Sequence, residues 1–170
     1  MGVNFIRMQL GATRFLEKLG ASLFTIWFAG LLAGCATTSK FQSLEKTTEK
    51  QALLYVLRPT RVALSLWSFH VELFRYEGSF TSDKKSPIDS WSLDSADFIK
   101  IRLNPGFYSL RCKDMDKIFY AKEGEIIFLS LELYNRGPFS IPGLFIKSLN
   151  VEEALRNLLE GSRMNEIGGK

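Results

Sequence analysis

The sequence predicts a mainly β protein: a small β-sandwich of about six or seven strands with one short C-terminal helix, preceded by a helical N-terminal segment. Three observations carry this. Trp67, Phe69, Val71 and Leu73 alternate with Ser68, His70 and Glu72, the period of a strand with one buried face. Turn signals recur at short spacing, at Arg58-Pro59, Asn104-Pro105-Gly106 and Glu123-Gly124-Glu125. Helical spacing of apolar residues occurs after residue 36 only behind Asn150.

In chain order, the compact apolar run from Ala52 to Leu57, stopped by Arg58-Pro59, predicts the first strand. The apolar residues Val62, Leu64 and Leu66 fall on the opposite parity from Trp67 onward, so a bulge or turn is expected near Leu66-Trp67. The polar stretch from Gly78 to Asp97 reads as a long surface loop with one short strand around Trp91 to Leu93. Ile99, Ile101 and Leu103 alternate with Lys100 and Arg102, which predicts a half-buried strand. Asn104-Pro105-Gly106 suits a type II turn, with Pro fixing φ and Gly accepting positive φ. Tyr108, Leu110 and Cys112 then form the returning strand, followed by strands at Ile118 to Ala121 and Ile126 to Tyr134, the last apolar enough to be central. Arg136 to Gly143 holds two prolines and two glycines and reads as irregular. Asn150 is placed as a helix N-cap with Glu153 three residues on. Ala154, Leu155, Leu158 and Leu159 supply the apolar stripe that docks on the sheet, and Gly161 ends it.

The first 34 residues divide as a secretory signal does. Arg7, Arg14 and Lys18 precede an apolar run from Leu19 to Leu32 that includes Phe24, Ile26, Trp27, Phe28 and Leu31. Gly20, Thr25 and Gly30 interrupt the run, which is shorter than the roughly 20 apolar residues a spanning helix needs. Translation from Met8 would also fit, because the opening is long for a signal. Small residues then lead to Leu32-Ala33-Gly34-Cys35. These four residues resemble the cleavage box of bacterial lipoproteins. The resemblance implies diacylglycerol transfer to the Cys35 thiol, cleavage before Cys35 and acylation of the new amine. Two or more acyl chains make a stable anchor, since each buried CH₂ contributes about 0.8 kcal/mol and one chain binds marginally. Ala36 stands where lipoproteins retained in the inner membrane carry Asp, so the expected address is the outer membrane, facing the periplasm. The domain plan is then signal 1–34, polar tether 35–50, β-sandwich with helix 51–161 and tail 162–170.

The chain has 170 residues with 22 Lys and Arg against 18 Asp and Glu. Residues 1–34 hold Arg7, Arg14, Lys18 and Glu17, so the 136 residues after them keep a net charge of +2. That length supports one domain with a real core, and that charge gives no reason to expect nucleic acid as a partner. Arg58, Arg61, Lys100, Arg102 and Arg111 could form a local basic patch, a weaker reading than solvated strand faces. With Cys35 lipidated, Cys112 has no disulfide partner and is expected as a small buried side chain.

Tyr55-Val56-Leu57-Arg58-Pro59, the stretch Phe98 to Gly106, and Ala121-Lys122-Glu123-Gly124-Glu125 resemble an uncharacterised domain family of bacterial lipoproteins. That family opens on a YVYRP-like strand and carries a PGxHxL-like hairpin and an aGxxYY-like strand. The corresponding hairpin here is Pro105-Gly106-Phe107-Tyr108-Ser109-Leu110, and the last segment is Gly124 to Phe128. The resemblance spans about residues 51–135 and implies a small β-sandwich module without assigned catalytic residues. Tyr108 stands where His is common, and the DGK hairpin usual after the strand ending near Leu73 is lacking.

His70 is the only histidine, so neither a His-based triad nor a zinc site has its ligands; its parity places it outward. Asp83, Asp89, Asp94 and Asp97 lack calcium-loop spacing and suit turns and caps. No phosphate loop, nucleophile elbow or dinucleotide fingerprint is present. Of 14 phenylalanines, Phe74, Phe80, Phe107, Phe119, Phe139 and Phe145 fall on polar parity, at strand ends or in loops. Clustered and exposed they would mark a docking surface; equally, the helix and the Pro-rich segment could cover a second sheet face. The expected function is a non-enzymatic envelope module that binds another envelope protein or the cell wall by a sheet edge or aromatic patch. No cofactor is expected beyond the covalent lipid on Cys35. Two alternatives remain: a glycan-directed carboxylate hydrolase using Asp89, Asp94 or Asp97, and a carrier of small hydrophobic ligands.

Overall fold

Strand β2 (Ala52–Arg58) is buried along its whole length and organises the molecule. Its even-numbered residues Ala52, Leu54 and Val56 face one apolar cluster, and Leu53, Tyr55 and Leu57 face another. A strand covered on both faces needs neighbours in the sheet and a layer on each side, and the computed structural model supplies them. It describes residues 38–60, 66–78, 84–134, 143–160 and 163–168; Leu32-Ala33-Gly34-Cys35, expected as a cleavage box, Ala36, expected as a sorting residue, and Arg61, Val62, Leu64, Phe80, Asp83 and Phe139 lie outside these.

The described strands are β1 (Ser39–Lys40), β2, β3 (Phe69–Tyr76), β4 (Lys85–Leu93), β5 (Asp97–Leu103), β6 (Gly106–Cys112), β7 (Met115–Ala121), β8 (Ile126–Tyr134), β9 (Gly143–Leu149) and β10 (Asn165–Glu166); helix α1 (Val151–Leu159) precedes β10. They form a six-stranded sheet in the order β1-β10-β5-β2-β8-β9 and a four-stranded sheet in the order β4-β3-β6-β7. The inter-sheet core includes Leu54, Val56, Phe69, Val71, Leu73, Leu93, Leu110, Cys112 and Leu129. On the other side of the six-stranded sheet, Phe41, Ala154, Leu158 and Met164 cover Leu53, Tyr55, Leu57, Phe98 and Phe128. The fold is a β-sandwich with one short C-terminal helix, as the sequence predicts. The helix covers a second sheet face.

Ten strands are described where six or seven are expected, and the additions share a cause. β4 runs through Lys85–Leu93, not only Trp91 to Leu93. It is an edge strand with one neighbour, β3, so Asp89, Ser90 and Ser92 stand in solvent and erase the apolar pattern. Its register with β3 slips so that Leu73 faces Asp89 and Phe74 faces Pro87, leaving Ile88 as the extra residue of a bulge. β9 is also an edge strand and is buried only at Ile146. At its start Gly143 packs under the Tyr134 ring, and an added Cβ would force that ring to move.

Asn104-Pro105-Gly106 does not close a hairpin. β5 pairs with β2 and β10, whereas β6 pairs with β3 and β7, so this turn carries the chain from one sheet to the other. The residues at 94–96 and 122–125 make the same kind of passage, with Ala96 at φ 69° and Gly124 at φ 71°. Leu66 and Trp67 lie in a turn ahead of β3, which begins at Phe69, so Trp67 does not join the buried face of that strand.

Residues 38–50 pack on the domain. β1 pairs antiparallel with β10, and β10 parallel with β5. Phe41 is buried edge-to-face on Phe98. The Glu45 N–H donates to the Tyr55 hydroxyl at 3.0 Å, while its carboxylate pairs with Lys100 at 2.9 Å and with Arg102. Residue 163 onward, expected as tail, contributes Met164 to the same cluster. Helix α1 is capped as expected: Asn150 Oδ1 accepts from the Glu153 N–H at 2.8 Å. The Glu153 carboxylate turns to Lys147 at 3.2 Å, and Leu159, expected in the docking stripe, is exposed.

Candidate binding face

The outward face of the four-stranded sheet is the side away from the inter-sheet core, and strand parity dictates what stands there. On β6 the buried Tyr108, Leu110 and Cys112 alternate with Phe107, Ser109 and Arg111. The register sets Tyr120 opposite Phe107, Ile118 opposite Ser109 and Asp116 opposite Arg111. β3 adds Phe74 opposite Ser109 and Glu72 opposite Arg111. Phe107 and Tyr120 meet with ring centroids 4.6 Å apart, yet stay 39% and 44% exposed, and Ile118 is 47% exposed. These three make one apolar stripe along the β6–β7 hairpin. Exposed apolar groups gathered in this way cost solvation that scattered ones do not, and they mark contact surfaces.

A charged cluster adjoins the stripe. Lys85 Nζ donates to Asp116 Oδ2 at 2.7 Å and lies 3.4 Å from Ser109 Oγ, which also hydrogen-bonds Asp116. Arg111 stacks over Phe74 at 4.8 Å and stands 3.9 Å from Asp116. The hydrogen bond to Asp116 raises the Lys85 amine above its ordinary value, against the pull of burial. Burial works to raise the Asp116 carboxyl, and the hydrogen bonds from Lys85 and Ser109 outweigh it and leave it below its ordinary value. Ser109, Lys85 and Asp116 therefore do not form an activated nucleophile. A lysine serving as base must give up its proton, and this one is held protonated.

Of the acids singled out in the sequence, Asp89 stands apart, whereas Asp94 and Asp97 share one turn. Asp89 sits on the β4 edge and accepts from the Ser90 N–H at 2.7 Å. Asp94 lies at the far end of that strand, about 16 Å along an extended chain, where Ser68 donates to it. Asp97 is buried, accepting from the Asp94 N–H at 2.8 Å and from Asn165 Nδ2 at 3.1 Å. It serves the inter-sheet turn. A carboxylate pair acting on a glycosidic bond needs a separation of about 5–9.5 Å, which Asp89 and Asp94 do not offer. A groove of about 380 Å³ runs between residues 39–45 and the sheet. Lys100 crosses it between Glu45 and Glu166 at 2.9 and 3.0 Å, a lining too polar for a hydrophobic cargo.

His70 is exposed on the outward face, and Cys112 is fully buried, where burial pushes its thiol up to about 11. Sequence reasoning placed Phe107 and Phe74 on polar parity. It missed Ile118 and Tyr120, whose apolar character reads as core, and it missed Lys85 and Asp116, which are 31 residues apart. Phe119 faces inward, stacked on Tyr108 at 5.8 Å, and Phe145 packs on Tyr134 at 5.8 Å. Comparison with protein-family models, curated proteins and solved structures returns no match.

Proposed function

We propose that this chain is a lipid-anchored protein of the bacterial cell envelope, acylated on Cys35 and held on the outer membrane facing the periplasm. In this reading it works as a non-enzymatic docking module for another envelope protein. The observation that carries the docking role is the exposed stripe Phe107, Ile118 and Tyr120 beside the Lys85–Asp116–Arg111 cluster. An apolar centre bordered by charges that can pair with a partner is the usual anatomy of a protein interface. The sheet edges favour the same side. β4 is guarded by Pro87 and its bulge, whereas β7 lacks proline and ends beside the stripe. The anchoring is supported by Leu32-Ala33-Gly34-Cys35 and by Ala36 after it.

In-cell cross-linking of the full-length protein, followed by affinity capture and mass spectrometry, tests the docking role. The expected result is one dominant envelope protein, lost in Tyr120→Ser and Ile118→Ser variants that fold normally. Capture of the same partner by both variants would refute this face as the docking surface.

A further inference from the structure

Strand β7 lies at the edge of the four-stranded sheet and pairs with no described strand but β6. Its far side presents backbone N–H and C=O groups that a further strand can take up, and natural sheets guard such edges. Parity sets Asp116, Ile118 and Tyr120 on the outward face, and Met115, Lys117, Phe119 and Ala121 on the side of the inter-sheet core. Lys117 is the guard. It stands opposite the buried Leu110 and is itself half-buried, and no acid among the described residues pairs with it. An inward-pointing lysine on an edge strand turns away an apolar strand. It admits one that brings room and a carboxylate, so the guard is also a selector. Lys122 and Glu123, just past the strand, are exposed and have no side-chain partner among the described residues.

We infer that the strand admitted is β7 of a second copy, paired antiparallel across a two-fold axis at Phe119. A two-fold contact must be self-complementary, and Asp116-Lys117-Ile118-Phe119-Tyr120-Ala121-Lys122 is so in this register. With Phe119 facing its counterpart, Ile118 faces Tyr120 of the other copy, Asp116 faces Lys122, and Lys117 faces the small Ala121. The symmetry makes each of these pairs twice. Glu123 of the other copy becomes a diagonal neighbour of Lys117, at about 7–8 Å between Cα atoms and within reach of a long side chain. Asp116 can take Lys122 as well as Lys85, since a carboxylate offers about four acceptor positions. Other registers lose these pairs. An axis at Lys117 sets two lysines face to face, and one at Ile118 sets Lys117 and Asp116 against the Phe119 and Tyr120 rings. An axis at Tyr120 leaves Asp116 facing Gly124 and Ile118 facing Lys122. An axis between residues sets core-facing side chains opposite outward ones. The pairing lies in the plane of the sheet, so the two Phe107–Ile118–Tyr120 stripes join on one open face, and the dimer stands whether or not a partner docks there. Because the axis is perpendicular to the sheet, both β1 strands leave on the same side, as two anchors in one membrane require.

The test uses the full-length protein purified from membranes in detergent. Its mass by sedimentation equilibrium, with the detergent density-matched, should be that of two copies and fall to one on dilution. Lys122→Glu breaks no side-chain hydrogen bond or ion pair among the described residues and sets like charges opposite each other at both ends of the contact. It should raise the dissociation constant about tenfold at an unchanged urea midpoint. Under a mild oxidant, a chain carrying Ile118→Cys and Tyr120→Cys should give disulfide-linked dimers above the background of the parent, whose cysteines are Cys35 and Cys112. Ile88→Cys, on the opposite edge of the sheet, should stay at that background. A single-copy mass at every concentration would overturn the inference. So would a dimer that Lys122→Glu leaves unchanged, a double-cysteine chain that stays unlinked, or equal cross-linking through Ile88→Cys.

Discussion

Lys85 and Asp116 show how two residues on different strands set one another's charge. Asp116 is held below its ordinary range, so its contribution to stability is present above the unfolded carboxyl value of about 3.9 and lost as pH falls through the lower folded value. Lys85 is raised, so its contribution is complete below about 10.4 and lost as pH climbs through the higher folded value. Stability from this pair should be flat across neutral pH and fall at both extremes. Asp116→Asn should cost about 0.5–1 kcal/mol at pH 7, because solvent screens the partly exposed carboxylate, and flatten the acid limb, as read from urea unfolding over a pH series. Cys112 makes a second residue-level prediction. Fully buried and raised to about 11, it should resist alkylation in the folded protein and react only after denaturation; rapid labelling of the native chain at Cys112 would contradict its placement.

Among the elements, Phe41 from segment 38–50, Met164 ahead of β10, and helix α1 cover the outer side of the six-stranded sheet together. Phe41 is the pin, packed on Phe98, while Glu45 is bound by Lys100, Arg102 and the Tyr55 hydroxyl. Phe41→Ala should cost about 3–5 kcal/mol and open residues 42–50 to limited proteolysis ahead of global unfolding. An unchanged cleavage pattern would mean the segment is held by its ion pairs and hydrogen bonds without Phe41. At α1 the Asn150 cap serves one orphan amide, that of Glu153. Asn150→Ala should lower stability by about 1 kcal/mol, measured by the same unfolding series. The elements legible in the sequence are those with an apolar side facing the core: β2, β3, β5, β6, β8, the second half of β7, and helix α1 with its Asn150 cap. The Ser39-Lys40 and Asn165-Glu166 pairing was illegible because two-residue strands have no period to read. Ser, Lys and Thr in 36–50 suggest solvent until Phe41 finds the Phe98 ring.

For the whole molecule, composition and turn spacing sufficed for a β-sandwich, but not for which sheet each strand joins. Asn104-Pro105-Gly106 announces a change of direction, and the partner waiting after it is decided by long-range packing of Tyr108, Leu110 and Cys112 against the other sheet. The candidate face follows the same rule. Phe107 stood out by its parity, whereas Tyr120 and Ile118 became surface residues only once β7 was seen to pair with β6 alone. The proposed address rests on the sequence of residues 32–36 and on the acylation proposed for Cys35. Everything proposed for the docking stripe presupposes that address. The most direct test is intact mass and N-terminal peptide mass of the chain purified from membranes. The account predicts a chain beginning at Cys35 and carrying a diacylglyceryl thioether and an amide-linked acyl chain, all of it lost in Cys35→Ser. A chain that retains the segment before Cys35, with an unmodified thiol, would contradict it.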